Sequence, residues 1–114
     1  MNYRVLVTDN FKRQAKPLAK KYHSFKSDLN QLIDVLTESP TQGILLGKNC
    51  YKIRLAIKSK NKGKSGGARV ITCVKVENGT VYLLSIYDKS DKDSLGDSEL
   101  DELLAAAGLR EEEE

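Results

Sequence analysis

Cys50-Tyr-Lys-Ile-Arg-Leu-Ala-Ile-Lys58 sets residues of opposite character on alternate positions. A β-strand turns successive side chains to opposite faces. Tyr51, Ile53, Leu55 and Ile57 therefore share one face and need a hydrophobic core behind them. Lys52, Arg54, Ala56 and Lys58 share the other, and Lys60 extends the basic series past the strand. Like charges ranked on a rigid sheet repel one another unless an anion neutralises them. The basic face is thus expected to hold something negative.

The segments downstream of this strand read as an antiparallel meander. Ser59 to Gly67 is a glycine- and lysine-rich loop, and Ala68 to Val76 is the next strand. Asn78-Gly79 lies between two apolar runs and predicts a tight primed hairpin with positive φ at both residues. Thr80 to Tyr87 is the last strand. A charged loop then leads to a short helix that begins near Asp97-Ser-Glu-Leu, carries Leu100, Leu103 and Leu104, and stops at Gly108.

Upstream, Tyr3 to Thr8 is rich in β-branched residues and reads as a first strand. Asp9 or Asn10 is placed to cap a helix that runs to about Tyr22, with Phe11, Ala15, Leu18, Ala19 and Tyr22 on one face. Pro17 is expected to bend or break it. A second helix opens at Ser24 and ends near Glu38, before Ser39-Pro40, with Phe25, Leu29, Leu32, Ile33 and Leu36 as its apolar stripe. Thr41 to Asn49 reads as a connecting loop. The order β-α-α-β-β-β-α predicts an α+β fold: a four-stranded, mainly antiparallel sheet backed by two N-terminal helices, with a short C-terminal helix.

A chain of 114 residues holds one domain, here residues 1–110, with 111–114 as an acidic tail. No apolar run is long enough to span a membrane, and the N-terminus lacks a secretory pattern. Two cysteines far apart and a single histidine make no zinc site, so no metal and no cofactor are expected, and a reducing cytoplasm is the expected compartment. The net charge of +3 hides a division. Residues 1–90 carry 17 Lys and Arg against 6 Asp and Glu, whereas residues 91–114 carry 2 against 10. A basic body with an acidic appendage suits a nucleic-acid partner. The plainer reading, a solubilising tail on a basic protein, serves for Glu111 to Glu114.

Gly63-Lys64-Ser65 fails as a phosphate-binding P-loop, because position 58 is lysine where that motif needs glycine, and no helix follows. Lys58, Lys60, Lys62 and Lys64 fit better as a cationic segment touching a phosphate backbone. His23 sits between two helices without a triad partner, and Cys73 reads as a small apolar core residue. What remains is spatial. In a meander, Lys52, Arg54, Arg69, Tyr87 and Lys89 can line one concave surface, although each alone would pass as an ordinary surface residue. A register shift of one residue would turn every one of them away.

Cys50-Tyr-Lys-Ile-Arg-Leu, Lys62-Gly-Lys-Ser-Gly-Gly-Ala-Arg-Val-Ile71 and Leu83-Leu-Ser-Ile-Tyr-Asp-Lys89 resemble the RelE/HigB branch of the RelE/ParE toxin superfamily. The resemblance runs over nearly the full chain. It implies a toxin of a type II toxin–antitoxin system that cuts messenger RNA on the ribosome, held silent by a cognate antitoxin that in this subgroup often carries a helix-turn-helix domain. It also implies roles for particular residues. Lys52 and Arg54 match the family's paired basic positions, Arg69 its arginine after the glycines, and Lys89 a further cation. RelE itself has a functional tyrosine in its C-terminal segment, where this chain has Ser94, Leu95 and Gly96. Tyr87 is the tyrosine expected in the HigB-like subgroup. The chemistry so implied is attack of an RNA 2′-OH on the adjacent phosphorus, with Arg54 and Arg69 stabilising charge. Lys52 is one candidate base; the other is Tyr87, its pKa lowered by surrounding cations. Lys89 would serve the leaving oxygen. Two rivals stay open on the same fold: a ParE-like inhibitor of DNA gyrase, and a non-catalytic RNA- or ribosome-binding module.

Overall fold

A computed structural model describes residues 2–60, 66–92, 94–96 and 98–109. Its elements are β1 (Arg4–Val7), α1 (Asp9–Lys21), α2 (Phe25–Glu38), β2 (Ile44–Gly47), β3 (Cys50–Leu55), β4 (Ala68–Lys75), β5 (Thr80–Asp88) and α3 (Glu99–Ala106). Among the described residues, five strands form one sheet in the order β1-β5-β4-β3-β2. β1 runs parallel to β5, and the remaining pairs are antiparallel. The architecture is the α+β arrangement expected, with one strand more. The additional strand, β2, lies in the stretch read as loop. It is four residues long, exposed at Ile44 and Leu45, and sits at the sheet edge.

Two connections differ from expectation. Gly79 alone adopts the left-handed conformation (φ 59°), at the end of a 3₁₀ turn over Val76–Asn78, so the β4–β5 connection is not the two-residue primed hairpin. That geometry occurs instead between β2 and β3, where Lys48 (φ 54°) and Asn49 (φ 61°) are both left-handed. Helix α1 is capped one residue earlier than expected, by the Thr8 hydroxyl, which accepts from the Phe11 N–H at 3.3 Å. It runs unbroken through Pro17, giving up only the bond that residue's amide would have made to the Arg13 carbonyl.

The alternation of β3 is realised. Ile53, Leu55 and Ile57 are buried, and Ile53 and Leu55 join Val70, Val81, Leu83 and Ile86 under Phe11, Leu18, Phe25 and Leu36 of the two N-terminal helices. On the other face, Cys50, Ile71, Cys73, Leu84 and Tyr87 make a smaller apolar cluster closed by Leu104 of α3. A bulge in β5 at Leu84 sets which residues reach that face. The backbone groups it releases bond to α1: Asn10 Nδ2 donates to the Leu84 carbonyl at 2.9 Å, and the Ile86 N–H donates to Gln14 Oε1 at 3.1 Å. Helix α1 thereby fixes the register of the strand end that carries Tyr87.

Candidate active site

Arg54 pairs with Arg69 across β3 and β4, and Arg69 pairs with Tyr87 across β4 and β5. Residues directly opposite one another in antiparallel strands project to the same face. The three therefore form a row across the sheet, on the face away from α1 and α2. Lys52 lies two positions along β3, opposite Ile71, and joins them. Lys89 follows β5 immediately, and its N–H donates to the Gly67 carbonyl at 3.0 Å, keeping it beside the start of β4. Lys52, Arg54, Arg69 and Tyr87 thus share one face, and the Lys89 backbone lies at its end.

Gly67 makes that end tight. A Cβ at this position would lie 2.1 Å from the Leu55 carbonyl oxygen, so the glycine serves close approach of β3 and β4. The small residue before Arg69 accommodates backbone, where the sequence left open ligand or backbone.

Exposure divides the row. Arg54 is exposed, whereas Arg69 is 4% and Tyr87 8% accessible. Arg69 Nη1 donates to the Ala68 carbonyl at 3.1 Å, so part of its fork is held by its own strand. The cover comes from the segment entering α3. Lys92 Nζ stands 5.3 Å above the Tyr87 ring, and Lys92 is paired with Glu99. Lys48, in the β2–β3 turn, is paired with Asp101. Asp101 thus ties α3 to the β2–β3 turn and Glu99 ties it to the segment before it, roles not read from the acidic run, which suggested only a favourable helix start. Acidic residues facing a basic sheet were the available signal.

The Tyr87 hydroxyl is buried and has no hydrogen-bond partner among the described residues. Leaving such a group unsatisfied costs roughly 1–3 kcal/mol. Burial raises the pKa of this phenol and prevails over the lowering influence of Arg69, while Glu99 adds to the rise. The expectation of a cation-depressed phenol is therefore corrected: desolvation is the stronger effect, and Tyr87 is held neutral.

The outlying cations fare differently. β3 ends at Leu55 and the chain turns into a 3₁₀ segment, Lys58–Lys60, so these lysines do not continue the basic face. The Lys58 N–H donates to Asp28 Oδ2 at 2.9 Å, and its ammonium lies 3.5 Å from Gln31 Oε1 on α2. Lys60 Nζ is 2.5 Å from Asp88 Oδ1, with side chains only 9% and 1% exposed. Asp88 also accepts from the Tyr22 hydroxyl at 2.8 Å and from the Ser90 N–H and hydroxyl at 2.9 and 2.7 Å. Burial opposes ionisation of Asp88, but these donors prevail and hold its carboxyl well below the ordinary carboxylate range. Lys60 is thus a structural cation on the helix side of the sheet. Lys62, Lys64 and the 111–114 tail lie outside the described residues. His23 is exposed between α1 and α2, away from the row. Among the described residues, no group of three or more His, Cys, Asp or Glu is placed to hold a metal ion, and no helix is long and apolar enough to cross a membrane.

Residues 3–113 match the family described as the RelE toxin of the RelE/RelB toxin–antitoxin system. The chain is a RelE-family toxin. Its fold is that of two solved structures. A double mutant of E. coli toxin RelE in the free state is 23% identical, with a TM-score of 0.55 over 95% of this chain and 96% of that one. The isolated E. coli RelE toxin, in a P21 crystal form, is 21% identical, with a TM-score of 0.56 over 90% of this chain and 97% of the other. No curated protein sequence matches. As a RelE-family toxin, the protein belongs to a toxin–antitoxin system, and an antitoxin is its implied partner.

Proposed function

We propose that this toxin is an endoribonuclease that cuts messenger RNA on the ribosome. The observation that carries the proposal is the Arg54–Arg69–Tyr87 row, which ends in a buried hydroxyl with no partner among the described residues. Cleavage proceeds by in-line attack of a 2′-OH on its own phosphodiester. The 2′-oxygen–phosphorus bond forms as the bond to the 5′-oxygen breaks, leaving a 2′,3′-cyclic phosphate and a 5′-OH. Extra negative charge gathers on the non-bridging oxygens, and preorganised donors aimed there lower the barrier. Arginine suits this task because its fork meets two phosphate oxygens and stays charged. Arg54 and Arg69 take it.

A neutral phenol donates a hydrogen bond and is a poor base, so Tyr87 is assigned to the phosphate or to the leaving oxygen. Lys52 is left as the candidate for the 2′-OH proton, and Lys89 is assigned to the leaving oxygen. With so few acid–base groups in the row, the ribosome supplies substrate positioning, and naked RNA is a weak substrate. Because Lys92 and Leu104 pack against Tyr87, RNA reaches its hydroxyl only when α3 moves.

The match to RelE supports this reading over a ParE-like gyrase inhibitor, for which a phosphate-stabilising row has no use. Primer extension on a translated reporter message tests it, since only the nuclease creates new 5′ ends inside codons.

A further inference from the structure

Cys50 and Cys73 lie opposite one another on β3 and β4, and both are fully buried thiols outside any disulfide. The neighbouring Val74 N–H donates to the Asn49 carbonyl at 2.9 Å, so residues 49 and 74 are a hydrogen-bonded pair. Pairs alternate along an antiparallel ladder, which makes Cys50 and Cys73 a non-hydrogen-bonded pair, the kind whose Cα atoms stand only about 4.5 Å apart. That separation falls within the range a disulfide spans, about 4.4–6.8 Å. The two sulfurs also converge on one acceptor: the Lys48 carbonyl is 3.4 Å from Cys50 Sγ and 4.0 Å from Cys73 Sγ. The side chains therefore point at each other's space.

Chemistry at this pair is controlled by α3. Leu104 packs on the cluster formed by the two cysteines, Ile71, Leu84 and Tyr87, and the Lys48–Asp101 ion pair ties α3 to the turn that supplies the shared carbonyl. While α3 is seated, hydrogen bonding to Cys73 and burial push the Cys50 thiol far above its usual range, which keeps it unreactive. When α3 lifts, oxidants of small size gain access to both sulfurs.

We propose that Cys50 and Cys73 form an oxidisable dithiol, closed by α3, that hydroperoxides convert to an intramolecular disulfide. In the first step one sulfur attacks a peroxide oxygen and the O–O bond breaks, giving a sulfenic acid and water from hydrogen peroxide, or an alcohol from an organic hydroperoxide. The second thiol then displaces that hydroxyl as water, closing the S–S bond. Two electrons pass from the thiols to the peroxide, and the protein loses two hydrogen atoms. The bond would staple β3 to β4, the strands that carry Arg54 and Arg69.

The test treats reduced full-length protein with hydrogen peroxide and follows the Cys50–Cys73 linked peptide by mass spectrometry, for the wild type, Leu104→Ala and Asp101→Ala. Leu104→Ala loosens the cover from within. Asp101→Ala cuts the surface tie and leaves the core untouched, so it answers even if the first variant folds poorly. The expected result is a monomeric protein lighter by two hydrogens, formed slowly in the wild type, about tenfold or more faster in Leu104→Ala and about two- to fivefold faster in Asp101→Ala, whose ion pair is exposed. Cys73→Ala should yield no such species. The proposal is overturned if the loosened variants oxidise no faster than the wild type, or if they give sulfinic acids or disulfide-linked dimers in place of the internal bond.

Discussion

Arg54 and Arg69 face one another across β3 and β4 as a non-hydrogen-bonded pair, the closest approach two residues make in an antiparallel ladder. Like charges so placed are destabilising. The fold accepts the arrangement by leaving Arg54 in solvent while Arg69 is buried beside Tyr87. A cost of this kind, with no packing benefit at Arg54, fits the anion-binding role proposed for the row.

Replacing Arg54 should therefore separate activity from stability. Arg54 is exposed, and Arg54→Ala removes one of two opposed cations. The variant is expected to unfold at the same denaturant concentration as the wild type or slightly higher. The proposed ribosome-dependent cleavage should fall by about 10²–10³-fold, the usual effect of deleting one preorganised donor to transition-state charge.

Tyr87→Phe removes a buried hydroxyl that has no partner among the described residues. Stability should be unchanged or should rise by up to about 1–3 kcal/mol, since an unsatisfied polar group is lost. Tyrosinate absorbance followed against pH should show that the phenol missing from the variant is one ionising above the ordinary value of 10.0. A phenol that ionises below it would restore the base role and contradict the present assignment.

Asp88→Asn breaks the buried pair with Lys60 and should destabilise the fold by about 3–5 kcal/mol in chemical denaturation, because an uncompensated ammonium is left behind. The pH dependence has a defined sign. The folded pKa of Asp88 lies below its ordinary 3.8, so the stability it contributes is fully present above that value. It is lost as pH falls through the depressed folded value. The difference between wild type and Asp88→Asn should thus be constant across neutral pH and shrink only in strong acid.

Gly67→Ala would drive a methyl group to 2.1 Å from the Leu55 carbonyl and force β3 from β4. A loss of about 1–3 kcal/mol is expected from overpacking. Cleavage should fall further than stability explains, because the displaced strands are those holding Arg54 and Arg69.

The fold was largely legible because β3 alternates cleanly between core and charge, and because both N-terminal helices carry an apolar stripe. Strand β2 was not, since Ile44-Leu45-Leu46 between two glycines has neither alternation nor length. Its turn was legible in principle: Asn49 tolerates the left-handed conformation, yet Asn78-Gly79 presented the stronger hairpin signal. The row of Arg54, Arg69 and Tyr87 followed from counting along a meander, although the β5 bulge at Leu84 could have reversed it. Lys60 was misplaced because nothing in its neighbourhood announces that β3 stops at Leu55, or that the carboxylate of Asp88 waits 28 residues away. The direction of the Tyr87 shift depended on burial by α3, a contact between distant segments that local spacing does not encode.

The central claim is that Arg54, Arg69 and Tyr87 jointly hold a phosphodiester under attack. Its most direct measurement is the mapping of new 5′ ends on a ribosome-bound message by primer extension, with wild type and Arg54→Ala compared at equal folded concentration. The account predicts 5′-OH ends inside translated codons for the wild type, reduced by about 10²-fold or more in the variant. Arrest of translation without new ends, or an Arg54→Ala protein that cuts at the wild-type rate, would contradict it.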